Sequence, residues 1–270
     1  MKYSVLASGS AGNSTLIETE QTKILIDCGT RKKYLTQSLH NCGVKYSDID
    51  AVFITHEHID HIRLLNLFEN HQVYAPHPMN DLQNIVCIPV HQAMIIKDLT
   101  IMAIPLSHDS TQTYGYIITQ NEEKLVYITD TGYLNQSVLE YIKGADVYIF
   151  ESNHDVDRLM QTSRPHSTKR RIISEEGHLS NADSAYYLSM IVSENTKDII
   201  LAHLSQEANT ERLALTCLVE TLEKAKVSLH PSIQCRCARQ YEIITGGIYE
   251  EKCGSYYHSE STNLECSSKL

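Results

Sequence analysis

No run among these 270 residues is apolar for long enough to cross a bilayer. Met1 to Leu6 passes straight into a glycine-serine turn, without the apolar stretch and small-residue cleavage site of a secretory signal. The expected location is therefore the cytoplasm, with no membrane partner. Excess positive charge is also missing, because 33 acidic residues against 23 basic ones give a net charge of −10. That balance excludes a broad basic surface for nucleic acid, though not a local one. There is no Gly-x-Ser-x-Gly elbow and no Gly-x-x-x-x-Gly-Lys loop, so neither an elbow serine nucleophile nor that phosphate cradle is available. Eight cysteines are few for this length and come without an export signal, which favours reduced thiols. Cys28, Cys42, Cys87 and Cys217 lie in apolar or amphipathic contexts and read as small buried hydrophobes. Cys235-Arg236-Cys237, with Cys253 and Cys266 further on, fits no standard zinc spacing.

What the chain does hold is a dense cluster of metal-binding side chains, Thr55-His56-Glu57-His58-Ile59-Asp60-His61. It follows Ala51-Val52-Phe53-Ile54, a short apolar run that reads as a buried strand. After it, His61, Leu64, Leu65 and Phe68 recur at helical spacing. On this strand-to-helix turn His56 and His58 can face one metal ion while Asp60 and His61 reach a second. Other apolar runs end the same way: Ile24–Ile26 at Asp27, Ile101–Leu106 at Ser107-His108, and Leu125–Thr129 at Asp130. Val147–Phe150 ends at Glu151 and Ile199–Ala202 at His203. Such groups can converge along one edge of a layered sheet, where open sheets place their ligand sites.

Helical patterns fall between these runs. One covers Arg31 to Cys42, one is capped by Asn181, and one is capped by Thr210. Asn121-Glu122-Glu123 reads as a hairpin turn, so part of the sheet is antiparallel. Interleaved strands and helices give an α/β protein. Residues 1–247 are expected to form the domain, and the polar, serine-rich stretch 248–270 a mobile tail.

His56 to His61 resembles the His-x-His-x-Asp-His motif of the metallo-β-lactamase superfamily. Four further segments resemble its YycJ/WalJ (VicX) branch: Ser8-Gly9-Ser10-Ala11-Gly12-Asn13-Ser14, Glu151-Ser152-Asn153-His154-Asp155, Gly177-His178-Leu179-Ser180-Asn181 and Leu201-Ala202-His203-Leu204-Ser205. The resemblance implies an αββα four-layer sandwich. Residue by residue, it implies that His56, His58 and His108 bind a first divalent ion, and Asp60, His61 and His203 a second, with Asp130 bridging. His91 is a rival to His108. Asp60 and Asp130 would also take part in the reaction, through a hydroxide shared by the ions. His178 stands where ribonuclease Z-like relatives carry a histidine that protonates the leaving oxygen. The alternative for His178 is a structural bond to Asn181 or Ser180. Donors without thiolates suit Zn²⁺, Mn²⁺ or Fe²⁺. The span from Asp130 to His203 is too short for the inserted domain of the β-CASP branch.

Asp27 is expected to orient a ligand histidine or the turn at Gly29. Glu57 should point away from the metals, and His154 either supports the site or walls the substrate. Ser10 to Asn13 is either a turn at the site mouth or a hairpin without a role. The helix beginning near His61 would aim its positive end at the site. Arg164, Lys169, Arg170 and Arg171 form the dense basic stretch, read as a phosphate contact or a solvated helix face. The implied activity is a metal-dependent phosphodiesterase, most simply an exonuclease with DNA rather than RNA as substrate. The alternatives are a thioester or lactone hydrolase of the same fold, and a non-enzymatic regulator of a cell-envelope signalling system.

Overall fold

A computed structural model describes residues 1–79 and 84–247. The tail assigned to 248–270, with Cys253 and Cys266, lies outside the described residues. The first six strands are β1 (Lys2–Ala7), β2 (Ser14–Glu18), β3 (Lys23–Ile26), β4 (Ala51–Phe53), β5 (Gln72–Ala75) and β6 (Ile85–Cys87). The next seven are β7 (Ala93–Ile96), β8 (Leu99–Leu106), β9 (Thr113–Gln120), β10 (Glu123–Ile128), β11 (Val147–Glu151), β12 (Asp198–Ala202) and β13 (Gln234–Cys237), and β14 (Ile244–Gly247) closes the series. Two mixed sheets result, ordered β14-β1-β2-β3-β4-β5-β6 and β13-β12-β11-β10-β9-β8-β7. The helices are α1 (Lys32–Asn41), α2 (Ile59–Ile62), α3 (Gln136–Ile142), α4 (Val156–Gln161), α5 (His166–Ile172), α6 (Asn181–Ile191) and α7 (Glu211–Lys224).

Strand alternation builds the layers. Along β10, Leu125 and Tyr127 enter the core between the sheets, while Val126 and Ile128 enter the core under α3, α6 and α7. On the far side of the first sheet, Val52 packs with Leu35 and Leu39 of α1. The order is helix, sheet, sheet, helix, the αββα sandwich that the resemblance implied. Every apolar run ending in a chemical group is a strand, and Asn121-Glu122 makes the β9–β10 hairpin with Asn121 at φ 53°. Strands β10 to β13 are parallel, and β8 runs the same way as β10 through antiparallel β9. The carboxyl ends of β8, β10, β11 and β12 therefore share one edge.

Three local readings change. The helix expected from His61 to Phe68 is one turn, α2, followed by a separate 3₁₀ turn at Leu65–Phe68. Four residues align few peptide dipoles, so the field expected from that helix end is small. The cap of α6 is Ser180, whose hydroxyl accepts from the Asp183 N–H, while Asn181 is the first helical residue. Cys87 is exposed on β6, the edge strand of its sheet among the described residues, whereas Cys28 is buried as expected. Thr210 does cap α7. No helix among the described residues is long and apolar enough to cross a membrane.

Candidate metal centre

The carboxyl ends of the strands deliver the chemistry, and three of them do so through an unusual backbone. Asp27 after β3, Asp130 after β10 and His203 after β12 all have positive φ, at 60°, 59° and 57°. Non-glycine residues are uncommon in that region, although Asn, Asp and His tolerate it better than most, and surrounding contacts hold these turns. Gly29 shows how close those contacts are: a Cβ there would lie 1.6 Å from the backbone oxygen of Asp60. Only glycine lets the β3 turn pass beneath the His-x-His-x-Asp-His loop.

Four overlapping groups of side chains place their ligand atoms within 4.8 Å of one another. His56, His58 and His108 make the first, with ring centroids 4.6 to 5.1 Å apart. Asp60, His61 and His203 make the second. Asp130 joins His56 and His61 in a third, and Glu151, His178 and His203 in a fourth. Its Oδ2 lies 3.2 Å from His61 Nε2, and its Oδ1 lies 3.3 Å from His203 Nδ1 and 3.9 Å from His108 Nε2. The structure thus brings together all seven residues that the resemblance marked as ligands, with Asp130 between the two sets. His91 is elsewhere, stacked on Tyr141 at 4.6 Å, and belongs to none of the groups.

The residues fit divalent cations on their own evidence. His56 Nε2, Asp130 Oδ2 and His203 Nε2 are buried without a hydrogen-bond partner among the described residues, a costly arrangement unless something else binds them. The opposite ring nitrogens are held. His61 Nδ1 lies 2.7 Å from Asp27 Oδ2, His108 Nδ1 lies 3.0 Å from the Gly177 carbonyl, and His56 Nδ1 meets Thr55 Oγ1 at 3.0 Å. Asp27 accepts in addition from the Thr55 N–H and hydroxyl, which is the orienting role expected of it.

Charge follows the same arrangement. Burial alone would raise the Asp130 carboxyl, but His203 and His61 overcome it and hold Asp130 well below the usual range. Burial would lower His203, yet Asp130 and Glu151 lift it to about 9. His61 is likewise raised against burial, by Asp27 and Asp130. His56 is lowered by burial and then by its imidazole neighbours, and His108 by burial.

Glu151 is the residue that the sequence reading left out of the site. It is fully buried, accepts from His178 Nδ1 at 2.8 Å and faces His203 Nδ1 at 3.0 Å through the same oxygen. Its other oxygen accepts from the Thr131 and Leu179 N–H groups. These partners, led by His178, outweigh burial and hold it at about 2. Its position at the end of β11 was the available signal. His178 therefore does not bond Asn181 or Ser180; it sits on Glu151, 5.0 Å from the His108 ring and 5.2 Å from that of His203. Asn181 instead joins Ser152 and Asn209, tying β11 to the loop before α7.

Glu57 points away as expected, to His77 and the Thr111 N–H. His154 is buried, with both ring nitrogens unpartnered among the described residues, and burial lowers it to about 4. The Ser10–Asn13 turn lies at the site, with Asn13 Nδ2 3.0 Å from His61 Nε2, and just before it Ser8 Oγ accepts from the His203 N–H. The basic stretch is largely committed elsewhere. Lys169 is buried and donates to the Met160 and Thr162 carbonyls, closing the end of α4, so it is not a substrate contact. Arg164 pairs with Glu207, Arg171 pairs with Asp109, and Arg170 is exposed on α5. No ligand group among the described residues contains a cysteine.

Comparison with known proteins identifies the family and the fold. Residues 22–203 match the β-lactamase superfamily domain. The chain is 35% identical to exodeoxyribonuclease YycJ of Bacillus anthracis, across 83% of this chain and 90% of that protein. It is 34% identical to exodeoxyribonuclease WalJ of Streptococcus pneumoniae, across 84% and 90%. Among solved structures, the metallo-β-lactamase fold protein YhfI of Bacillus subtilis superposes with a TM-score of 0.65 at 17% identity, over 91% of this chain and 98% of that one.

Proposed function

This chain belongs to the metallo-β-lactamase superfamily, in its YycJ-like branch, and we propose that it is a metal-dependent phosphodiesterase that removes nucleotides from DNA ends. The observation that carries the chemistry is the pairing of partly exposed His178 with buried Glu151 beside Asp130, because it adds a proton donor to the ligand groups. The choice of DNA and of exonuclease action rests on two relatives named as exodeoxyribonucleases, each covered over 90% of its length.

His56, His58 and His108 would hold one divalent ion, and Asp60, His61 and His203 the other, with Asp130 between them. Zn²⁺ and Mn²⁺ suit these nitrogen and oxygen donors, and Fe²⁺ is compatible with them. When bound, the ions supply a water of lowered pKa and positive charge against the developing phosphorane oxygens. Asp27 fixes the His61 ring, so its Nε2 faces inward. Glu151 fixes the His178 and His203 rings by their Nδ1 atoms. His178 then has Nε2 to give a proton to the departing 3′ or 5′ oxygen, which is a poor leaving group without one.

Purified protein supplied with Mn²⁺ or Zn²⁺ should shorten end-labelled linear DNA stepwise and leave closed circular DNA intact. If neither ion supports cleavage of any nucleic acid, the reading is wrong. Cutting of the circle would retain the phosphodiesterase and discard the exonuclease.

A further inference from the structure

We propose that Asn13 is a substrate-positioning residue that donates a hydrogen bond from Nδ2 to a phosphoryl oxygen bound at the metal centre. The proposal rests on the phosphodiesterase reading above and deepens it. Asn13 lies in the loop between β1 and β2 and is 1% exposed. Its backbone is pinned on both sides, since its N–H donates to the Asp60 carbonyl and its carbonyl accepts from the Gly29 N–H. The side chain cannot flip. Oδ1 lies 2.8 Å from the Gly9 N–H, which can only donate, so the amide oxygen must sit there and the NH₂ must face the other way.

That other way is the centre of the site. Nδ2 lies 3.0 Å from His61 Nε2, the nitrogen that Asp27 leaves for a cation. One imidazole lone pair cannot serve both a cation and an N–H donor. Once His61 Nε2 is engaged by an ion, the Asn13 N–H aimed at it needs a new acceptor, and no other hydrogen bond to Nδ2 exists among the described residues. Asp130 Oδ2 and Asp60 Oδ2, 3.2 and 3.6 Å from His61 Nε2, belong to the proposed ligand sets. The acceptors left for the Asn13 N–H would be the water that the cations hold and, in the substrate complex, a phosphoryl oxygen brought up to them. A neutral amide also suits the place, because it donates without adding charge that would repel the cations.

The loop is built to hold this orientation. Gly9 and Gly12 have φ of 136° and 145°, and Cβ atoms there would lie 2.6 Å from Gln240 Oε1 and 2.5 Å from Thr30 Cα. Gln240 clamps the loop by accepting from the Ala11 N–H and donating to the Gly12 carbonyl. A donor fixed before substrate arrives needs no reorganisation during the reaction, the condition under which single donors matter most.

The test uses the full chain loaded with Zn²⁺ or Mn²⁺ and thymidine 5′-monophosphate as the probe. Asn13→Ala should keep its metal content, weaken nucleotide binding roughly five- to tenfold and lower kcat roughly 100-fold, with a smaller change in KM. The Asn13 side-chain amide signal of the wild-type protein, assigned by its loss in Asn13→Asp, should shift on saturation with the nucleotide. That second measurement holds even where the alanine variant does not fold. Unchanged nucleotide affinity in a folded, metal-loaded Asn13→Ala, or a stationary amide signal, would overturn the role and leave Asn13 as a brace for the Gly9 turn. A wild-type protein that cleaves no nucleic acid and does not bind the nucleotide would instead overturn the phosphodiesterase reading, and this proposal with it.

Discussion

His178 and Glu151 meet at 2.8 Å between Nδ1 and Oε1, and the same carboxylate oxygen lies 3.0 Å from His203 Nδ1. One buried carboxylate thus orients both a candidate metal ligand and a candidate proton donor. Removing either member of the pair should be felt in the reaction, but differently in the metal content.

His178→Ala should lower turnover of DNA by roughly 10²- to 10⁴-fold while metal content stays as in the wild type. The loss should shrink on bis(p-nitrophenyl) phosphate, whose leaving group needs no proton. Equal losses on both substrates would reject the acid role. Glu151→Gln should lower turnover too and, by loosening His203, weaken metal affinity by about tenfold.

Asp27→Asn replaces an acceptor of three hydrogen bonds by a group that must place an NH₂ among the same donors. Metal affinity should fall about 10- to 100-fold, and thermal denaturation should show a clear loss of stability. A variant with wild-type metal affinity would mean that His61 does not depend on this contact.

Metal removal should destabilise the protein by an amount that grows with pH. In the metal-free protein the His203 imidazolium offsets the Asp130 and Glu151 charges, and its pKa is raised from 6.5 to about 9. A raised pKa contributes stability that is complete below 6.5 and is lost as pH rises through about 9. Neutral imidazoles bound to cations carry no such dependence. The melting-temperature gap between loaded and chelated protein should therefore widen from pH 6.5 to 9; a constant gap would contradict this.

Lys169→Met should lower stability by about 1–3 kcal/mol, because the Met160 and Thr162 carbonyls lose their buried donor. It should leave the salt dependence of DNA binding unchanged. If the slope of log affinity against log salt falls by about one, Lys169 touches phosphate after all.

Much of the centre could be read directly because each candidate ligand ends an apolar run or lies in the His56–His61 cluster that follows one, and strand ends in a layered sheet share an edge. His56, Asp130 and His203 were marked on that ground as well as by resemblance. Glu151 was passed over, although it ends β11 in the same way, because its two roles exist only through His178 and His203, 27 and 52 residues further along. Lys169 was misread for the opposite reason. A lysine in a basic run looks solvent-facing until the end of α4 is folded over its ammonium group.

The amino-acid order alone determined which residue types could serve as ligands, where six of the strands run, and that the chain reverses at Asn121-Glu122-Glu123, since these depend on local pattern and on what each side chain can bind. Only the packed structure decided which nitrogen of each histidine faces the middle of the cluster, which way the Asn13 amide points, and which basic side chains are already paired. Those outcomes depend on partners tens to hundreds of residues distant, Gln240 against Gly12 among them. Orientation in a buried site is set by whichever donor or acceptor folding brings within about 3 Å.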